Sequence, residues 1–107
     1  MSSVTESQTT ETTTVTNYKL PTAKTLQQCA KLAIVEDKPL MFDYYAGSID
    51  KEVLIGVREN NEKLLVRNEE EYTSPISKIY KSDDEYIILT ENSIYLVSAY
   101  IPSRRIS

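Results

Sequence analysis

Alternation of apolar and polar residues begins near residue 40, and turn-forming residues interrupt it about every ten positions. A period of two indicates strands with one buried face, and short connections between consecutive strands favour an antiparallel meander. Asn60 and Asn61, for example, suit a tight hairpin turn with positive φ angles. The pattern predicts six strands, over residues 40–46, 52–58, 63–67, 76–81, 85–90 and 94–101.

A helical period precedes these strands. Apolar residues recur at positions that form one face of a helix: Leu26, Cys29, Ala30, Ala33 and Ile34. Thr22 or Thr25 is suited to cap the first turn, and Pro39 disfavours a helical residue before it. The spacing predicts a helix at about residues 23–36.

Together these elements predict an α+β fold that is mainly β, in which one N-terminal helix packs on a curled antiparallel sheet of five to six strands. The layout resembles that of the SH3-like and Sm-like small barrels. No functional residue is carried over from those families, because the glycines and the Asn-containing loop of the Sm nucleic-acid site are missing here.

Composition divides the chain into three parts. Residues 1–16 include seven threonines and three serines, with too few apolar residues to form a core. Residues 1–17 are therefore predicted to be a disordered tail, although a threonine-rich segment is also suited to pair with the sheet edge of a partner. Residues 18–102 are predicted to form one small domain, and residues 103–107 a short basic C-terminal tail.

The lack of histidine excludes a large part of catalytic and metal chemistry from this chain. A histidine-based triad and a histidine metal site cannot form, and one cysteine cannot make an internal disulfide or a zinc site of several cysteines. Two glycines are too few for a P-loop or a dinucleotide-binding loop. We therefore expect a protein that is not an enzyme and holds no cofactor and no metal.

The charge balance limits the classes of molecule that this protein is expected to bind. Twelve basic and sixteen acidic residues give a net charge of −4, which disfavours a protein that coats nucleic acid. No apolar run approaches the roughly 18 residues of a membrane span, and the N-terminus has no secretory signal pattern. We expect another protein as the partner, no membrane, and a soluble intracellular location.

Tyrosine is unusually frequent in this chain, which contains eight tyrosines. On a strand, Tyr44 and Tyr45 point to opposite faces, so one of them is expected to be exposed, and Tyr95 faces away from its apolar neighbours. Exposed tyrosines anchor protein interfaces and stack on single-stranded nucleic acid. Arg104 and Arg105 are suited to contact a phosphate or an acidic partner. The alternatives are that the tyrosines fill the sheet and that the two arginines only solubilise the chain end.

Other candidate groups have structural explanations. Cys29 lies in the middle of the apolar helix face, so it is predicted to be an inert core residue. The acidic residues 69–71 and 83–85 are predicted to lie in solvated turns. Asp43 either faces out from its strand or, if the helix covers it, is paired and marks a site.

Three segments resemble small uncharacterised proteins of large DNA viruses: Val53-Leu54-Ile55-Gly56-Val57-Arg58, Glu69-Glu70-Glu71-Tyr72-Thr73-Ser74-Pro75-Ile76 and Glu91-Asn92-Ser93-Ile94-Tyr95-Leu96-Val97-Ser98. The resemblance covers roughly residues 24–100 and includes no catalytic motif. It implies no activity. It implies a viral accessory or virion-associated role in an infected cell.

Three hypotheses on function remain. The first is a non-enzymatic protein-interaction or structural module. The alternative is a small-barrel protein that binds single-stranded nucleic acid, which requires exposed tyrosines on one face beside basic residues such as Lys78, Lys81, Arg58 or Arg67. The third is an enzyme that uses carboxylates and tyrosines, which requires a pocket with a perturbed carboxylate.

Overall fold

The computed structural model describes residues 19–107, which form two helices and eight strands. In chain order these are α1 (Ala23–Glu36), β1 (Leu40–Met41), α2 (Tyr45–Ile49), β2 (Leu54–Val57), β3 (Lys63–Asn68), β4 (Glu71–Tyr72), β5 (Ile76–Ser82), β6 (Glu85–Thr90), β7 (Ile94–Ser98) and β8 (Ser103–Arg105). The α+β class, mainly β, is confirmed. The predicted tail, residues 1–17, lies outside the described residues, as does Tyr18.

Helix α1 spans the residues that the sequence period predicts. Thr22 has extended backbone angles, and its hydroxyl accepts a 3.2 Å hydrogen bond from the Thr25 N–H, which caps the first turn. Asp37 ends the helix in the left-handed region, with a φ of 56°.

The buried side of α1 differs from the predicted apolar face. Thr25 and Cys29 are fully buried, whereas Leu26 is 38% exposed and Ile34 is 80% exposed. The rotation of the helix follows from Thr25, because its buried hydroxyl donates to Ser82 at the end of β5, with the carbonyl oxygen 3.0 Å away. Helix α1 therefore leaves large apolar side chains at the surface.

The strands form two four-stranded sheets, where the sequence predicted one antiparallel meander. Sheet A has the order β1-β7-β6-β5, and sheet B has the order β4-β3-β2-β8. Two neighbouring pairs are parallel, β1 with β7 and β2 with β8. Within residues 19–107, both sheets are open and end in edge strands.

Sheet A is the middle of three layers. Its strands β6 and β7 are largely buried on both faces, so their sequences are nearly continuous apolar runs. One face packs on α1 through Ile87, Leu96 and Cys29, and the other packs on sheet B through Ile88 and Leu65. The strands divide between two sheets because a central sheet with two apolar faces needs a covering layer on each side.

Most of the first predicted strand does not form, and a short helix begins at its end. The strand expected over residues 40–46 ends at Met41, and the chain turns into α2. In α2 the buried Ser48 hydroxyl donates to the Tyr45 carbonyl oxygen at 2.6 Å. The same hydroxyl accepts the Ser98 N–H at 2.9 Å, which attaches α2 to β7. The turn that the sequence indicated at Gly47 and Ser48 is thus part of a helix.

The C-terminal residues also differ from the prediction. Residues 103–107 were expected to be a short basic tail, but they contain β8, which pairs in parallel with β2. The Ile55 N–H donates to the Pro102 carbonyl oxygen, and the Ile106 N–H donates to the Val57 carbonyl oxygen. Parallel pairing joins segments far apart in the chain, so no turn between them reveals it in the sequence.

None of the helices within the described part of the chain has the length and apolar character required to cross a membrane.

Candidate functional site

The structure places the tyrosines of the predicted interaction surface in the interior. Tyr44 and Tyr45 are buried, and Tyr95 is half-buried. Because α2 begins at Tyr45, the two neighbours do not alternate across a strand: Tyr44 joins the core between the sheets and Tyr45 the core beneath α1. The rings of Tyr44 and Tyr95 meet edge to face, with centroids 5.5 Å apart. These three side chains pack the cores and do not form an exposed surface.

Arg67 connects Tyr44 to sheet B. Its guanidinium carbon lies 4.9 Å from the centre of the Tyr44 ring, and its guanidinium donates to the Asp43 carbonyl oxygen. Arg67 also forms a 3.0 Å ion pair with Glu71. Burial raises the pKa of Tyr44 above its usual value, and the Glu71 carboxylate raises it further. Asp43 itself is exposed, as expected for an outward-facing residue.

Sheet B carries a groove of about 670 Å³, which we term the arginine face. All four arginines of the chain line it. The lining residues are Leu54, Arg58, Leu64, Val66, Arg67, Asn68, Glu69, Tyr72, Arg104, Arg105, Ile106 and Ser107. Arg104 and Arg105 reach this groove only because β8 pairs with β2. The sequence singled out these two arginines but gave no sign that they meet the other two.

The strand register sets the floor of the arginine face. Gly56 lies opposite Leu64 on one side and Arg104 on the other, and Val66 lies opposite Tyr72. Opposed residues share a face of the sheet, and the alternate residues of β2 and β3 face the core. Tyr72 is 53% exposed. The outer side of sheet B is therefore an aliphatic floor with one exposed aromatic ring and an arginine at its edge.

Two of the four arginines have acidic partners. Arg58 pairs with Glu62 at 2.9 Å, and Arg67 pairs with Glu71. Within residues 19–107, neither Arg104 nor Arg105 has a carboxylate within ion-pairing distance. The two guanidinium groups of β8 are therefore free to bind an external anion.

A second groove, of about 710 Å³, lies between α1 and α2 and is termed the α1–α2 groove. Its lining is mainly apolar: Lys19, Leu20, Pro21, Leu26, Phe42, Tyr45, Ala46, Ile49 and Asp50. Leu20 is 60% exposed, and Phe42 is 47% exposed. Contiguous exposed apolar patches mark binding surfaces on soluble proteins. The sequence did not indicate this groove. Leu26 was expected to lie on the buried face of the helix, and Phe42 was expected to lie on a strand.

A smaller groove, of about 400 Å³, runs between α1 and the edge strand β5. Lys24 and Lys31 line it from the helix and Tyr80 from the strand. Tyr80 and its neighbour Lys81 are both exposed. Lysine on an edge strand also serves to prevent pairing with other sheets, so this groove has a structural explanation of its own.

Cys29, Tyr45 and Glu85 form a buried group beneath α1. Burial raises the pKa of the Cys29 thiol from 9.0 to about 11, and the Glu85 carboxylate contributes to this rise. The pKa of Tyr45 is also raised, by burial first and by Glu85 second. Neither the Tyr45 hydroxyl nor the two Glu85 carboxylate oxygens have a hydrogen-bond partner among residues 19–107. Such a thiol is a poor nucleophile, so the group has no chemistry of the kind that a cysteine enzyme needs.

Metal binding receives no support from the described residues, because no cluster of three or more cysteine or acidic side chains among them is placed to hold an ion. No protein-family model matches the chain, and neither a curated protein nor a solved structure matches it. The two large grooves are therefore the basis for a functional proposal.

Proposed function

We propose that this protein is a non-enzymatic protein-interaction module whose partner inserts large apolar side chains into the α1–α2 groove. The observation that carries this proposal is the gathering of Leu20, Leu26 and Phe42, all more than a third exposed, around one apolar cavity. Burial of such side chains against a partner stabilises a complex by about 25 cal/mol for each Å² of apolar surface removed from water.

The walls of the groove are fixed before any partner arrives. Thr22 caps α1 and donates a 2.6 Å hydrogen bond to Asp83, next to β5. Ser48 joins α2 to β7. Preformed sites bind more tightly because less conformational entropy is lost on association. Lys19, whose ammonium lies 4.0 Å from an Asp84 carboxylate oxygen, and Asp50 line the groove with one charge of each sign, which helps to orient a partner.

The cellular setting follows from the sequence resemblance. Similarity to small proteins of large DNA viruses supports an accessory or virion-associated role, in which a small module binds a host or viral protein. An interaction module of this kind requires no catalytic group, in agreement with the lack of histidine.

Substitution of Leu20 by Asp tests the proposal, with Ile34→Asp as the matched control. Ile34 is 80% exposed but does not line the groove, so both changes place a carboxylate on an exposed apolar position. Each variant is used for crosslinked capture from native cells, with mass spectrometry of the recovered proteins. We expect the same partners with the unmodified chain and with Ile34→Asp, and their loss with Leu20→Asp. Equal recovery with all three proteins would contradict the proposal.

The second candidate function is binding of single-stranded nucleic acid. It is favoured by one observation, the exposure of Tyr72 on the arginine face beside Arg67 and Arg58. Bases stack on exposed aromatic rings, and arginines bind phosphates. This candidate predicts saturable binding of oligothymidylate that weakens steeply as salt is raised. Binding that is weak and insensitive to salt would exclude it.

A further inference from the structure

We infer that the arginine face is a second binding site, separate from the α1–α2 groove, and that its ligand is an extended acidic peptide with an apolar side chain. The two sites lie on different layers of the fold: α1 covers one face of sheet A, whereas the arginine face is on sheet B. This inference therefore does not depend on the proposed function.

Charge is the first argument. Acidic residues outnumber basic ones in the chain, yet every arginine lines this one groove. Arg104 and Arg105 have no acidic partner among the described residues. Guanidinium groups bind carboxylates in a bidentate geometry, and such charge-assisted hydrogen bonds are about twice as strong as neutral ones. Arg104, on the outer face opposite Gly56, thus fits a carboxylate-bearing partner, and Arg105 also lines the groove.

The floor of the groove is the second argument, and it favours a peptide over nucleic acid. Leu54 and Val66, which are opposed and half-buried, form an aliphatic surface, and Ile106 extends it from beyond the end of β8; Leu64 itself is buried. Among residues 19–107, Tyr72 is the only aromatic residue that lines the groove. Single strands bind through stacks of successive bases on several rings, whereas one tyrosine, arginines and aliphatic side chains are the usual composition of a protein interface.

The direction in which the groove runs determines how a ligand lies in it. Tyr72 lies on the edge strand β4, and Arg104 lies on the opposite edge strand, β8. Three strand spacings separate these edges, about 14 Å in all. An extended peptide covers this distance with about four residues. The ligand therefore crosses the strands, with one apolar side chain over the floor and a carboxylate at Arg104.

Fluorescence anisotropy with synthetic peptides tests this inference on the full chain. The probe contains three Glu-Glu-Leu repeats. Two control peptides replace all glutamates by glutamine or all leucines by serine. A twelve-residue oligothymidylate serves as the nucleic-acid probe. We expect saturable binding of the Glu-Glu-Leu peptide and at least tenfold weaker binding of each control peptide, because both the charge and the apolar contact contribute.

Two protein variants locate the site. Arg104→Gln with Arg105→Gln removes the free arginines, and Lys78→Gln with Lys81→Gln removes the same charge from exposed positions on sheet A. We expect the arginine pair to lower the affinity at least tenfold and the lysine pair to change it less than threefold. Thermal unfolding of both proteins verifies that each is folded.

The remaining outcomes overturn the inference. Absence of saturable peptide binding would do so, as would an equal loss of affinity in both double variants, which would indicate general attraction between charges. Tighter binding of the oligothymidylate, lost in Tyr72→Leu, would reassign the face to nucleic acid. Leu20→Asp leaves peptide binding intact if the two sites are separate, so failure here and failure of the proposed function are distinguishable.

Discussion

Ile106 lies directly over Gly56. A Cβ atom at position 56 would stand 2.7 Å from Ile106 Cδ1 and 3.0 Å from Val66 Cγ2. Gly56 has a negative φ, so close packing rather than backbone conformation requires a glycine here. The absence of a side chain lets the C-terminal segment close over β2, which brings Arg104 and Arg105 to the arginine face.

Gly56→Ala is therefore expected to displace Ile106 and to lower the free energy of unfolding by about 1–3 kcal/mol. Ile106→Ala removes the obstructing methyl groups. In that background, Gly56→Ala should cost much less, because the two positions are in contact. Chemical denaturation of the two single variants and the double variant measures this coupling. Additive effects would show that Ile106 does not cover Gly56.

Arg67→Lys tests the contact between Arg67 and Tyr44. Lysine keeps the charge but loses the planar group that covers the ring and donates to the Asp43 carbonyl oxygen. We expect a loss of about 1 kcal/mol of stability. Arg58→Lys is the control, because Arg58 has only a surface ion pair with Glu62 and should lose less than about 0.5 kcal/mol. Similar losses in both variants would contradict a special role for the ring contact.

Cys29 makes the free energy of unfolding depend on pH in the alkaline range. The Cys29 thiol has a pKa of about 11 in the folded protein, against 9.0 in the unfolded chain. Its contribution to the free energy of unfolding is therefore complete below pH 9 and is lost between about pH 9 and 11. Two pKa units correspond to roughly 3 kcal/mol. The pKa values of Tyr44, Tyr45 and Tyr95 are also raised, so these side chains further lower the free energy of unfolding as the pH becomes alkaline.

Comparison with Cys29→Ala isolates the thiol, because the tyrosines are common to both proteins. We expect the free energy of unfolding to fall less steeply above pH 9 in Cys29→Ala than in the unmodified chain. Parallel curves from pH 7 to 11 would mean that the thiol ionises as easily in the folded protein as in the unfolded one.

Glu85 is expected to destabilise the fold. Its side chain is buried beneath α1, and neither carboxylate oxygen accepts a hydrogen bond from the described residues. Glu85→Gln replaces the buried carboxyl group by an amide of nearly the same volume, whose burial costs less, so it should raise the free energy of unfolding by about 1–3 kcal/mol. Glu91→Gln, at an exposed turn position, should change it by less than about 0.5 kcal/mol. A destabilised Glu85→Gln protein would indicate that the carboxylate has a favourable partner in solution.

Local signals determined how much of the fold was predictable. The bounds of α1 followed from its period, its Thr22 cap and Pro39, and the burial of Cys29 is confirmed. The side on which α1 packs depends on the hydrogen bond from Thr25 to Ser82, residues 57 positions apart, so the helix pattern alone could not give it. Strand β8 and the second sheet could likewise not be predicted, because they depend on pairing between segments that are far apart in the chain.

The candidate site was less predictable than the fold. Tyr44 and Tyr45 were expected on a strand, where one would be exposed, but a helix begins at Tyr45 and both are buried. Tyr72, which is exposed and lines the arginine face, lies in a two-residue strand within an acidic segment that resembled a simple turn. Surfaces formed by residues from several strands depend on tertiary packing, which a single sequence does not display.

Site-specific photocrosslinking tests the central claim, that the α1–α2 groove binds a partner protein, most directly. Benzoylphenylalanine replaces Phe42 in one protein and Ile34 in another, and both are illuminated in native cells before nuclease treatment and mass spectrometry. Our account predicts crosslinks to a specific protein from position 42, unchanged by nuclease, and none to that protein from position 34. Equal crosslinking from both positions, or products from position 42 that disappear with nuclease, would contradict it.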